Sequence, residues 1–131
     1  MSETDLKKRT KAFALRILTL VDALPKTATG RALASQIVRS GTSVAANYRA
    51  ACHAKSPADF IAKMGIVEEE ADETLFWLEL LEESGFVTAA KVSAIKLEAN
   101  ELIAITVASI KTARRNRSSH SGFRIPNSAL E

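Results

Sequence analysis

QIVRSGTSVAANYRAACHAKSPADFIAKMGIVEEEADETLFWLELLE, residues Gln36–Glu82, is the stretch whose reading decides the fold. It joins two helical patterns across one break. In the first, Leu33, Ile37, Ser40, Val44, Asn47, Ala51 and Ala54 recur at heptad spacing and define one helix face. Ser40 and Asn47 stand in the middle of that face, where apolar residues are expected. The second pattern carries the acidic run Glu68-Glu69-Glu70-Ala71-Asp72-Glu73, followed at once by Leu75-Phe76-Trp77-Leu78. Between them Ser56-Pro57 marks a helix start, with Ser56 free to accept orphan N–H bonds and Pro57 suited to the first helical position. The inner face predicted for this helix is Phe60, Met64, Val67, Ala71, Leu75, Leu78 and Leu81, and the helix should run to about Glu83.

The flanks complete a four-helix pattern. Leu6, Thr10, Phe13, Ile17, Leu20 and Leu24 predict a first helix from about Thr4 to Ala23, closed by Leu24-Pro25 because a residue before proline is pushed out of the α region. The second helix should begin near Thr27–Gly30, with Thr27 or Thr29 as cap, and reach about Ala54. Ser84-Gly85 is a stop signal for the third. Thr88 can cap a fourth that presents Val92, Ile95, Ala99, Leu102, Thr106, Ile110 and Ala113. Residues 1–116 should form one all-α domain, an antiparallel up-down-up-down four-helix bundle, with residues 117–131 as a flexible tail. A helix of roughly 25 residues is about 37 Å long, so the bundle should be a rod.

Composition agrees. The chain has 131 residues, 47% of them hydrophobic, with three Pro and five Gly; that is enough for a single core, and alternation at period two is absent. One cysteine, Cys52, excludes an intramolecular disulfide and fits a reducing, cytoplasmic setting. The most apolar N-terminal stretch, Ala12–Leu24, is interrupted by Arg16 and Asp22, so neither a signal peptide nor a membrane span is expected. The net charge of +3 hides segregation. Residues 1–60 carry ten Lys/Arg against four Asp/Glu, residues 61–87 one against eight, and residues 88–131 seven against three. Such a basic, acidic, basic pattern suits a polyanion, a charged partner or self-assembly.

Several groups are candidates for chemistry. Ser40, Ser43 and Asn47 are either a ligand contact or a packing device, in which Gly41, Ala45, Ala46 and Ala50 admit a neighbouring helix and Asn47 fixes register. Glu69-Glu70-x-x-Glu73 and Glu98-x-x-Glu101 resemble the EExxE…ExxD pattern by which all-α nucleoside triphosphate pyrophosphohydrolases hold Mg²⁺, although Glu101 stands where that family has Asp. The alternative is a solvated or ion-paired acidic face. His53 and His120 form no Glu-x-x-His pair, and Cys52 beside His53 is an adjacent pair whose side chains do not face each other. No metal or cofactor is expected. Arg31 and Arg49 lie on one side of the second helix. Lys7, Lys8, Arg9 and Lys11 begin the first helix, and Lys111, Arg114, Arg115 and Arg117 end the fourth. In a bundle of this kind the two clusters share one end, where they would meet phosphates in a salt-dependent way. Trp77 and Leu80, with Ile66 and Glu73, form a stripe rotated off the inner face, and a contiguous exposed apolar stripe marks an interface.

Taken in order, Leu24-Pro25, QIVRSGTSVAANYRAA, KSPADFIAKMGIVEEEADETLFWLELL and EANELIAITVASIKTARRN resemble the four-helix bundle proteins of the 23S rRNA intervening-sequence family over roughly residues 6–116. The resemblance implies a bundle that assembles into a homopentameric ring. It also implies kinship with accessory factors of diversity-generating retroelements, whose basic ring contacts a reverse transcriptase and nucleic acid. The motif positions it carries are Ser40, Ser43, Asn47, Arg49, Glu73, Trp77 and Leu78, in structural rather than catalytic roles. The expectation is a non-enzymatic, oligomeric scaffold that binds RNA or DNA, with a protein-adaptor ring and the Mg²⁺-dependent hydrolase as alternatives.

Overall fold

The computed structural model describes residues 1–122, with side chains described for residues 1–118. Four helices follow one another: α1 (Glu3–Asp22), α2 (Ala28–Cys52), α3 (Pro57–Glu83) and α4 (Ala89–Gly122). The described residues contain no strand, and none of their helices is long and apolar enough to cross a membrane.

Each boundary has a local chemical cause. Ser2 caps α1 in a reciprocal box, its side chain accepting from the Asp5 N–H while the Asp5 carboxylate accepts from the Ser2 N–H. Thr27 accepts from the Gly30 N–H at 3.0 Å and so is the cap of α2. Ser56 does the same for Asp59 at 3.1 Å, and Pro57 takes the first turn of α3, where a missing N–H costs nothing. At the far end of α3 Gly85 adopts φ 83°, a left-handed conformation that disfavours side chains. The Gly85 N–H then bonds the Glu82 carbonyl and the Phe86 N–H the Leu81 carbonyl, which together make a Schellman stop. Past Asn116, where the sequence pattern suggests an end, α4 continues to Gly122. Exposed Arg, Asn and Ser residues can extend a helix with no apolar stripe, since each added residue contributes a backbone hydrogen bond. Residues 123–131 of the expected tail lie outside the described residues.

The core is continuous from Leu6, Phe13 and Ile17 on α1 through Ile37 and Val44 on α2, Met64 and Leu78 on α3, to Val92, Ala99 and Leu102 on α4. Packing is extensive for each consecutive helix pair and sparse between α1 and α4. The start of α1, the end of α2, the start of α3 and the later part of α4 line one shared cleft, so these four segments occupy the same end of the molecule.

Two inner faces differ from the heptad reading. On α2 the buried position is Tyr48, at 5% exposure, while Asn47 is half-buried. A helix of 3.6 residues per turn drifts about 20° per heptad from a strict 3.5 repeat, and two heptads beyond Leu33 the inward place has passed to the next residue. On α3 the buried residue is Thr74 rather than Leu75. Its hydroxyl can be buried because it is hydrogen-bonded, as described below.

At the α1–α2 contact Gly41 is required by space. A Cβ there would lie 2.8 Å from Ile17 Cγ1 and 3.0 Å from Cγ2, and Ile17 is itself fully buried. Gly41→Val should therefore destabilise the fold by about 1–3 kcal/mol through overpacking. In urea titration this reads as a lower midpoint with an unchanged slope; an unchanged midpoint would mean that α1 yields without cost.

Candidate functional site

Ser40 and Thr74 are both buried with no exposed surface and face each other across the α2–α3 contact at 2.9 Å between hydroxyl oxygens. Thr74 also lies 2.7 Å from the Glu70 carbonyl, which can only accept. Thr74 therefore donates to Glu70, and Ser40 supplies the proton between the two hydroxyls. Asn47, by contrast, turns back along its own helix, donating to the Ser43 carbonyl at 2.9 Å and to the Ser43 hydroxyl at 2.8 Å. It does not cross to another helix to fix register. Ser40 and Ser43 thus belong to two separate small networks, and no buried side-chain polar atom among the described residues lacks a partner.

The carboxylates that resembled a Mg²⁺ set are divided between two arginines. Arg39 of α2 pairs with Glu70 at 3.2 Å and with Glu73. Arg9 of α1 donates from Nε to Glu98 Oε2 at 2.7 Å and from Nη2 to Glu98 Oε1 at 2.8 Å, and also pairs with Glu101. Glu69 is exposed. Among the described residues no three His, Cys, Asp or Glu side chains are placed to hold a metal ion. The bidentate Glu98 contact raises the Arg9 guanidinium further above its ordinary range. Arg9, expected to be free for phosphate, is instead a bridge from α1 to α4, and sequence spacing alone carried no sign of this partner. Its chain separation of 89 residues from Glu98 is the reason.

Trp77 is half-buried rather than exposed. Its indole N–H donates to Glu73 at 3.0 Å, and its ring meets Phe76 edge-on with centroids 5.0 Å apart. Leu80 is half-buried too. The exposed large apolar residues of α3 are Phe76 at 51% and Ile66 at 40%, so Ile66 is exposed as expected while Phe76, not its neighbour Trp77, faces solvent. Glu73, held by Trp77 first and Arg39 second, has its carboxyl below the usual range.

Cys52 and Tyr48 are neighbours at the end of α2. Burial pushes both the thiol and the phenol upward, so the thiol is a poor nucleophile. His53 is exposed and its Nδ1 lies 2.9 Å from the Arg49 carbonyl. The side chain of His120 lies outside the described residues. Arg31 and Arg49 are exposed.

The remaining basic residues stay in solvent. Lys7, Lys8, Lys11, Lys111, Arg114, Arg115 and Arg117 are all exposed. Lys7 makes only a loose contact with Glu3 at 3.9 Å, of little energetic weight at such exposure. Among the described residues the other six form no ion pair. Arg115 approaches Thr112 at 3.5 Å, and Arg114 and Arg117 border Ile61 of α3. The cations of the α1 start and the α4 end therefore share the end of the molecule marked by the cleft. The cleft measures about 940 Å³.

Comparison with known proteins places the chain beside a family and a solved relative. A family model described as "23S rRNA-intervening sequence protein" matches residues 2–108. A crystal structure at 1.70 Å of a protein of unknown function from the S23 ribosomal protein family of Bacteroides thetaiotaomicron VPI-5482 is 37% identical, with a TM-score of 0.79. That alignment covers 85% of this chain and 99% of the other. No curated protein matches the sequence.

Two outcomes follow from these networks. Thr74→Val should cost about 1–3 kcal/mol by leaving the Ser40 hydroxyl without its partner, whereas the Ser40→Ala, Thr74→Val pair should recover much of that loss; chemical denaturation of the four proteins of the cycle measures it, and strict additivity would refute the coupling. For Glu73 the folded carboxyl is depressed, so its contribution is present above the ordinary value near 4.5 and is lost as pH falls through the lower folded value. Trp77 fluorescence should report that loss as an acid transition below 4.5. Glu73→Gln should abolish the transition.

Proposed function

The chain belongs to the 23S rRNA-intervening sequence protein family, and from that membership we propose that it is a non-enzymatic, cytoplasmic scaffold that binds nucleic acid through its basic end. The carrying observation is the set of exposed, uncompensated cations there: Lys8, Lys11, Lys111, Arg114, Arg115 and Arg117, with Lys7 beside them. Two other arginines are engaged between helices. Arg9 and Arg39 each hold two glutamates, which favours a binding role over the hydrolase alternative, because every carboxylate of that set but Glu69 is already engaged. Clustered cations without acidic partners attract polyanions and release condensed counterions on binding.

In this reading the four helices run antiparallel, up-down-up-down, and copies of the chain associate into a ring through outward residues of α2 and α3, with five subunits as the family resemblance implies. The exposed Phe76 and Ile66 support an apolar contact on α3. The same exposed residues support a second reading, a ring that docks a protein partner.

Reversing Arg114 and Arg115 to Glu should lower RNA affinity at fixed salt and reduce the slope of log affinity against log salt by about 1.4 for a single strand. Fluorescence anisotropy over a salt series measures both, and unchanged binding would remove the assignment of the basic end. Phe76→Glu should convert the assembly to monomers with the helical signal intact, as read by size-exclusion chromatography with light scattering; a wild-type monomer would remove the ring.

A further inference from the structure

The cleft at the basic end has a chemistry of its own. Its volume, about 940 Å³, lies within the roughly 300–1,000 Å³ typical of small-molecule sites. Leu6, Phe60, Ile105 and Ala108 give it apolar walls, and Ser109, Thr112 and Asn116 add hydroxyl and amide groups along α4. Phe60 is half-buried and is the aromatic side chain of the lining that retains appreciable exposure; Tyr48, at 5%, is sealed into the core.

Positive charge surrounds these walls. Lys55 lines the cleft directly, Arg115 reaches Thr112 on its wall, and Lys7 lies beside Glu3 at 3.9 Å. Glu3 is the single carboxylate of the lining and faces that lysine. A pocket with an apolar floor, one aromatic wall, amide and hydroxyl edges and a cationic rim matches a heterocyclic base attached to a phosphodiester chain. An apolar ligand alone would have no use for the rim, and a bare anion no use for the floor.

We propose that this cleft receives an unpaired base of a single-stranded nucleic acid, so that the basic end distinguishes single strands from duplex. The inference rests on the nucleic-acid reading above. In a duplex the bases are stacked and paired, so their faces are closed to a side chain and the phosphates and groove edges are what a protein meets. A single strand can splay a base out, stack it on an aromatic face and still lay its phosphates on the flanking cations. Single strands therefore gain a contact that duplexes lack.

The test compares an unstructured RNA of about 16 nucleotides with the same strand annealed to its complement, each titrated against the full chain by fluorescence anisotropy. Ala108→Trp fills the cleft from an exposed position and leaves the core untouched; Phe60→Leu keeps apolar bulk and removes the aromatic face. The wild type should prefer the single strand by about tenfold. Ala108→Trp should erase the preference while leaving duplex affinity in place, and Phe60→Leu should reduce it, with circular dichroism confirming that both variants fold. Equal affinity for the two forms, or a preference that survives Ala108→Trp, would overturn the cleft assignment and leave the basic end standing, as would occupation of the cleft by a peptide or lipid instead. Absence of binding to either form would overturn both.

Discussion

Two helices can approach closely only where the side chains between them are small, and α2 is organised around that constraint. It packs against α1 on one side and α3 on the other. Gly41 lets Ile17 of α1 press against its backbone, and Ser40, one residue earlier, lets Thr74 of α3 come within hydrogen-bond reach. Larger residues at either position would push a neighbour away and open the core that Phe13, Ile37, Val44 and Leu78 close. The hydroxyl pair adds direction to this closeness, because a hydrogen bond holds one register of α2 against α3 where apolar packing tolerates several.

Charge is settled in two ways. Carboxylates of α3 and α4 that face another helix are gathered by Arg39, Arg9 and, for Glu82, Lys96, which removes the repulsion an acidic seam would bring. The cations near the chain's two helical extremes have no such partners among the described residues. A net charge near neutrality thus conceals seams where charge is paired between helices and an end where cations cluster unpaired. The field at that end is what a polyanion meets.

Local chemistry was legible in the sequence, and long-range partnership was not. Ser56-Pro57, Thr88 and Ser84-Gly85 act over a few residues, so their roles as caps and stops could be read directly, and Thr27 was one of two caps legible for α2. The four helices and most of the core followed from periodicity. Asn47 was misplaced because a strict heptad count ignores the drift of an α-helix, and Thr74 was passed over for Leu75 because a buried hydroxyl makes sense only once Ser40 is seen opposite. Arg9 looked like one more member of a basic run. Its partners, Glu98 and Glu101, are placed by the closure of the bundle, which no local pattern encodes. The cleft escaped for the same reason, since its walls come from all four helices.

The Arg9 bridge has a consequence for the life of the folded chain. Consecutive helices meet through short connections, whereas Arg9 joins residues 89 and 92 positions away. Closing so long a loop costs more chain entropy than joining neighbouring helices, so topology favours the local helical hairpins first. An interaction absent from the transition state slows unfolding without hastening folding. The α1–α4 seam, sparsely packed and tied by this arginine, is thus the place where a late contact lengthens the life of the folded bundle rather than speeding its formation.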